Sequence, residues 1–402
     1  MIQGALTGVR VLDLTQFLSG PRCTQLMAEA GAEVIKIEPP DGEAMRKLTV
    51  LSGAERILSN LNRNKKGLVL NLQSEKGREL LKGLVKASDV LVENFTPGLM
   101  DKMGLGYEAL SAVNPRLVYA VISGFGRTGP LSERTAFDII SQATGGIMNA
   151  NGMDDRPPAI FFGDLVSGAY CTIGILEAII CRERTGRGQL VDISMQDVMY
   201  YQHFSAHSKR ALAPVEEEVA SILGKPIDRL MTDRDQPLCF WNAYPARDGY
   251  VAIVALSDSQ WNRLMEAVGR PDLVGDERFG NFVLRVHNTR EGVEVVDAWT
   301  REHTVAEVVK AMEEARVPCG AVLDADALGQ DEQLKARGML CEVDQPRLGK
   351  IGVPGTPVKL SDTPGGVESA CPELGEHTEE ILSSILGLSA GEIETLRSEG
   401  TI

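Results

Sequence analysis

Val9-Arg10-Val11-Leu12-Asp13-Leu14 and Glu33-Val34-Ile35-Lys36-Ile37-Glu38 read as two strands, each a short run rich in β-branched and aliphatic residues. Between them Gly20-Pro21 marks a loop, and the apolar residues of Arg22 to Ala30 recur at helical spacing. Pro39-Pro40 then stops the second run. Strand, helix and strand in about thirty residues make a βαβ unit, which predicts a parallel sheet. Glu38, at the end of a second strand, stands where dinucleotide-binding folds hold a ribose. The first loop, Thr15 to Pro21, lacks the three glycines that let backbone reach a pyrophosphate, so an NAD-dependent dehydrogenase is disfavoured.

Working outward, the same pattern continues. Asn62-Arg63-Asn64-Lys65-Lys66-Gly67 reads as a polar turn leading into a strand over Leu68 to Leu72. Ser88 to Phe95 reads as a strand closed by Thr96-Pro97-Gly98, and Leu117 to Ser123 as another, ending in the glycine-rich turn Gly124 to Pro130. Arg134 to Ala143 begins a helix, Gly188 to Ser194 is a strand, and Met195-Gln196-Asp197 opens a helix toward His207. These elements predict an α/β fold with a Rossmann-like large domain. From Pro214 the texture becomes acidic and polar. The expected organisation is a large domain over 1–214, a linker over 215–237, a smaller α+β domain over 238–328, and a return over 329–402 that completes the large domain. In the small domain, strands at Phe240 to Tyr244 and Tyr250 to Leu256 precede amphipathic helices around Trp261 to Val268, Glu291 to Glu302 and Val305 to Ala315. The last helix is expected at Glu376 to Leu386.

The 402 residues allow more than one core, and 43% hydrophobic with 24% charged residues is ordinary for a globular chain. A net charge of −15 argues against a general nucleic-acid or anionic-membrane surface. The seven cysteines are scattered and form no Cys-x-x-Cys pair, which suits a reducing cytoplasm and no metal site. No stretch is expected to span a membrane, and the N-terminal residues lack a basic segment followed by a long apolar one.

Against this background Ile160-Phe161-Phe162-Gly163-Asp164 stands out, a carboxylate directly after a glycine at the end of an apolar run expected to be buried. The small-residue run Ser167-Gly168-Ala169 that follows predicts a closely packed helix. Asp164 is either a helix N-cap or a site carboxylate, with Gly163 and Gly168 leaving room for a ligand. From Arg56 to Lys102 nine basic residues face five acidic ones, a net +4 that leaves −19 for the rest of the chain. Such a patch serves a multiply phosphorylated ligand, or is simply a set of solvated lysines. Asn94, at a strand end, serves either a loop cap or a ligand. Asp138 is either a helix N-terminal charge or a second site carboxylate.

Taken together, Val11-Leu12-Asp13 with Gly20-Pro21, Val34-Ile35-Lys36-Ile37-Glu38, Asn62-Arg63-Asn64-Lys65-Lys66, Glu93-Asn94-Phe95 with Pro97-Gly98, Gly163-Asp164, Thr185-Gly186-Arg187-Gly188-Gln189, Met195-Gln196-Asp197, Pro318-Cys319-Gly320 and Gly375-Glu376-His377-Thr378 resemble, in that order, the class III CoA-transferase family. This family includes formyl-CoA and carnitine CoA-transferases and is related to the α-methylacyl-CoA racemases. The resemblance covers nearly the whole chain. It implies a catalytic aspartate at Asp164, coenzyme A thioesters as substrates with no permanently bound cofactor, and an interlocked homodimer. The implied CoA contacts are the backbone at Leu18 and Ser19, then Leu70, Asn71, Leu72, Gln73, Asn94, Phe95, Lys102, Arg134, Thr135, Ala136 and Phe137.

Chemistry suits the implied aspartate, because a carboxylate can attack a thioester, expel CoA thiolate and hold the acyl group as a mixed anhydride for a second acid to collect. Succinyl-CoA is a common donor in the family. This chain departs from the formyl-CoA transferases at Pro39, where they have arginine, and at Leu18, where they have glutamine. It also lacks their glycine-rich loop in the small domain. An acid larger and less polar than formate or oxalate is therefore expected, and Leu18 with Leu238-Cys239-Phe240-Trp241 fits that expectation if those side chains are not core. A racemase needs a histidine just before Asp138, and Phe137 stands there, so that reading is disfavoured. A non-catalytic CoA-binding protein is the remaining alternative, and it gives Asp164 no purpose.

Overall fold

The structure is a computed structural model and describes residues 4–48, 54–153, 155–224, 237–346 and 348–402. Six parallel strands form the main sheet: β1 Arg10–Asp13, β2 Glu33–Glu38, β3 Lys65–Val69, β4 Val90–Glu93, β5 Val118–Ser123 and β6 Leu190–Ser194. Their spatial order is β3-β2-β1-β4-β5-β6, so the chain order reverses between β1 and β4. At that point the loops leaving the two strands diverge and open a crevice at the carboxyl edge of the sheet.

Alternation along the strands builds a core on each face. Leu12, Ile35, Leu68, Leu91 and Tyr119 face helices Glu75–Lys86 and Thr378–Leu386. Their neighbours Val11, Val34, Val90, Val118 and Ala120 face helices Ser19–Glu29 and Phe162–Thr185. Burial on both faces is why these strands read as nearly continuous apolar runs.

The chain divides into two compact units. The first comprises Met1–Met148, Asp154–Gln202 and Glu332–Ile402, and contains the six-stranded sheet. It also holds the antiparallel hairpin of β10 Leu340–Gln345 and β11 Gly349–Pro354. The second unit comprises Asn149–Met153 and His203–Asp331. Its antiparallel sheet of β7 Trp241–Ala246, β8 Gly249–Val254 and β9 Cys319–Ala321 packs with helices Asp258–Ala267, Thr289–Arg301 and Val305–Glu314. Capping boxes at Ser257/Gln260 and Thr304/Glu307 fix where two of these helices start. Leu238, Cys239 and Phe240 are buried in this unit's core, whereas Trp241 is half exposed.

Several expectations change. β3 begins at Lys65, inside the stretch read as a polar turn, because the Lys65 ammonium is neutralised by Asp13 and can therefore be buried. Glu216–Leu223, within the expected linker, is a helix, while 225–236 lie outside the described residues. A further helix, Ala390–Ser398, follows the one expected to be last. The run Ile160 to Phe162, expected to be buried, is exposed. Helix Phe162–Thr185, with 24 residues, is long and apolar enough to cross a bilayer, contrary to the reading that no stretch is. One side of it, through Gly168, Cys171, Ile175 and Ala178, packs on helix Ser19–Glu29 and the sheet.

Candidate active site

Asp164 is the third residue of helix Phe162–Thr185, not its cap. Phe161 occupies the cap position and offers no side-chain acceptor. Asp138 supplies that acceptor from the start of helix Asp138–Thr144: its Oδ1 accepts a hydrogen bond from the Asp164 N–H at 3.0 Å. Its Oδ2 accepts one from Gln142 Nε2 at 2.7 Å, and Gln142 Nε2 also donates to the Ile160 carbonyl at 2.9 Å. The Asp164 amide is thus already engaged and is not a free donor for a ligand.

The glycines beside Asp164 provide close packing, not ligand space. A Cβ on Gly163 would lie 2.2 Å from Ser141 Oγ, and one on Gly168 would lie 2.4 Å from the Ser19 carbonyl. The space expected for a ligand is filled by the neighbouring helices. Their approach brings Ser19 beside Asp164, and both line the same cavity. Burial pushes the Asp164 carboxyl up to about 7, repulsion from Asp138 adds to the rise, and the polar Ser19 hydroxyl opposes it. Near neutral pH this group therefore exists both as a carboxylate able to attack and as the acid.

Asp164 opens onto a cavity of about 280 Å³ at the carboxyl edge of the sheet. Its walls come from the loops after β1, β4 and β5. Asn94 fastens the first two together: its Oδ1 accepts from Gln16 N–H at 2.9 Å, and its Nδ2 donates to the Gln16 carbonyl at 2.8 Å and to Ser19 Oγ at 3.3 Å. Phe17 holds a left-handed φ of 62°, a conformation costly for a side chain with a Cβ. Its N–H donates to Glu43 at 3.1 Å, and its ring meets Phe137 edge-on at 5.5 Å.

A buried ionic network holds this loop from below. Asp13 accepts from Thr15 N–H at 2.9 Å, and from Thr24 at 2.7 Å and Lys65 at 2.8 Å. Lys36 pairs with Glu43 at 3.3 Å and donates to the Thr15 carbonyl at 3.0 Å. Burial alone would raise the Asp13 carboxyl, but the ammoniums of Lys65 and Lys36 outweigh it and hold the group well below the usual carboxylate range.

Of the residues implied by resemblance, Ser19, Asn94, Phe95, Arg134, Thr135, Ala136 and Phe137 line the cavity with Asp164. Leu18 instead packs its side chain among Met45, Leu58 and Leu61. Leu70, Asn71, Leu72 and Gln73 leave β3 on the outer side of the sheet, where Asn71 N–H donates to the Thr401 carbonyl at 2.8 Å. Lys102 is exposed at the end of a short helix. Gln16, Phe17, Thr96, Pro97 and Met195 also line the cavity, and the sequence reading missed them. For the first four, the signal was their place after β1 and β4, the two strands that flank the reversal.

The basic stretch is less free than its count implies. Lys65 pairs with Asp13, Arg63 with Glu29, Lys66 with Glu33 and Glu380, Lys82 with Glu79, and Lys76 with Glu399. Folding brings Asp13 and Glu33 in from strands, Glu29 from helix Ser19–Glu29 and Glu380 and Glu399 from the C-terminal region, while Glu79 lies on Lys82's own helix, so five of the nine basic residues are paired internally.

The family model described as CoA-transferase family III matches residues 6–378. A formyl-CoA:oxalate CoA-transferase of Streptomyces coelicolor is 35% identical over 100% of both chains. A succinyl-CoA–D-citramalate CoA-transferase of Chloroflexus aurantiacus is 36% identical over 99% of this chain and 98% of its own. Among solved structures, a CaiB/BaiF family protein from Brucella suis superposes with a TM-score of 0.77 at 31% identity, covering 95% of this chain and 100% of that one. With the family pattern, full-length relatives and the shared fold in agreement, this chain belongs to CoA-transferase family III.

Proposed function

We propose that this CoA-transferase moves CoA from an acyl-CoA donor to a carboxylic acid through an acyl anhydride on Asp164. The observation that carries the reading is a buried carboxylate, raised to about 7, opening onto a cavity at the sheet's reversal point. An Asp164 oxygen attacks the thioester carbonyl, the C–S bond breaks, and CoA leaves as thiolate, giving a mixed anhydride. The acceptor carboxylate attacks the aspartyl carbonyl and expels the donor acid. CoA thiolate then attacks the acceptor's acyl carbon and releases Asp164 with the new thioester. Each step exchanges one acyl bond for another, so no nucleoside triphosphate is consumed. Water must be kept out, because it would hydrolyse the anhydride.

The cavity is near the lower size limit for small-molecule sites, which suits an acyl group and thioester better than a nucleotide. The remainder of CoA is assigned to the loop ends, with Leu18 and Ser19 backbone, Leu70 to Gln73, Asn94, Phe95, Lys102 and Arg134 to Phe137 as candidate contacts. Succinyl-CoA is the proposed donor: two relatives carry it in their names, and Arg134 on the cavity wall can meet a second carboxylate. Phe137 on the same wall cannot carry a proton, which favours transfer over racemisation.

A cytoplasmic homodimer is part of the proposal. Ile160, Phe161, Ile173 and Ile180 expose apolar surface on and beside the Asp164 helix, as an interface to a second copy would require. Incubation with succinyl-CoA followed by hydroxylamine trapping tests the covalent route. A modified Asp164 peptide is expected, and an unmodified peptide in active enzyme refutes it.

A further inference from the structure

The cap of the Asp164 helix is borrowed. Phe161, at the cap position, has no acceptor, and the long helix instead receives the Asp138 carboxylate on the amide of Asp164 itself. Gln142 holds the second Asp138 oxygen and, through Ile160, the chain just ahead of the helix. Gly163 makes this possible, because its missing Cβ admits Ser141 and Asp138 against the backbone. A neutral acceptor would cap as well, since asparagine and serine are equally favoured there. A carboxylate adds a negative charge beside a group that must itself be negative to react.

We propose that Asp138 is a positioning residue for Asp164: it fixes the first turn of the nucleophile's helix and favours the state in which Asp164 has become an uncharged anhydride. The inference rests on Asp164 being the acylated residue. Two carboxylates held this close repel each other, and acylation of one removes that repulsion. Repulsion also makes Asp164 a stronger base and a better nucleophile once ionised. The other groups facing Asp164 do not provide this. Helix Ser19–Glu29 presents the neutral Ser19, with Arg22 one turn further on against Gly168. The loop before Asp138 presents Arg134 on the cavity wall, and helix Met195–Gln202 contributes Met195 there, its Asp197 lining a separate pocket.

The test compares Asp138→Asn with Asp138→Ala in single-turnover acylation from succinyl-CoA between pH 5 and 9. Asparagine keeps an acceptor for the Asp164 amide and removes the charge, its Nδ2 giving up the bond from Gln142; alanine removes the charge and both acceptors. The acid limb of the wild-type rate should sit near pH 7 and move down by about one unit or more in both variants. The fraction of enzyme trapped as anhydride should fall in both. Alanine should lower Tm more than asparagine, which keeps the bond to the Asp164 amide but not the one from Gln142. Should either variant be too unstable to assay, the carboxylic C=O infrared band lost in Asp164→Asn can be titrated in the other. A limb that stays in place in Asp138→Asn overturns the inference while leaving Asp164 as nucleophile. An active wild type with no acylated Asp164 removes the functional reading, and this inference with it.

Discussion

Lys65 and Asp13, 52 positions apart in the chain, meet in a 2.8 Å ion pair in which neither side chain is exposed to solvent. The pair spans the carboxyl end of β1 and the start of β3, and Asp13 uses its other oxygen to hold the loop that carries Phe17 to Asp164. Lys65→Met leaves Asp13 charged and without its nearest counter-ion, and should cost about 3–5 kcal/mol. Because the folded Asp13 carboxyl is depressed, its contribution is present above its ordinary range and is lost as pH falls through and below it. Urea denaturation at pH 7 measures the loss. The double variant Asp13→Asn, Lys65→Met should recover part of it, and a double variant no more stable than Lys65→Met would contradict this account.

Asp164→Asn should lower CoA transfer by about three orders of magnitude or more, once deamidation is excluded by mass spectrometry. It should also stabilise the protein at high pH. The folded carboxyl titrates at about 7, above its unfolded value, so the folded state binds the proton more tightly. Stability from this group is full below its unfolded value and declines as pH rises through 7. Thermal melts at pH 8 should therefore favour the variant by an amount on the order of a few kcal/mol, with the gap closing toward pH 4. Equal melts at pH 8 would argue that Asp164 is not held against its charge.

Gly168→Ala places a Cβ 2.4 Å from the Ser19 carbonyl, and backbone cannot yield as a flexible side chain would. The two helices must separate, at about 1–3 kcal/mol. The same displacement pulls Ser19 from Asp164, so acylation should slow along with the loss of stability. A variant with wild-type Tm and rate would show that this contact is not tight in solution.

Asn94→Ala removes the hydrogen bonds that join the loops after β1 and β4. A loss of about 1–3 kcal/mol is expected. Because both loops line the cavity, KM for the acyl-CoA should rise about tenfold, more than kcat falls. Isothermal calorimetry with free CoA provides an independent reading, and unchanged affinity would confine Asn94 to a stability role.

Much of this architecture is legible along the chain. β2 lies where its six residues were read, and β1, β4, β5 and β6 fall within a residue or two of theirs, because burial on both faces leaves short apolar runs that need no distant partner to be seen. Asp164, Arg134 to Phe137 and Asn94 were identified by their likeness to a family pattern, which preserves order along the chain. β3 was misplaced by three residues for the opposite reason. Its first two residues are lysines, and two lysines look like solvent until the acids opposite them are known.

What the sequence determined by itself was periodicity and order: a parallel α/β sheet, its strands, and an aspartate after a glycine at the head of an apolar helix. What only the folded chain decided was which charges meet. Strand order places Asp13 over Lys65, brings Asn94 across to Gln16, and sets Asp138 against the amide of Asp164. Periodicity is local, since each residue's face follows from its neighbours in the chain. Electrostatic pairing depends on distance in space, and the site's chemistry follows from that distance.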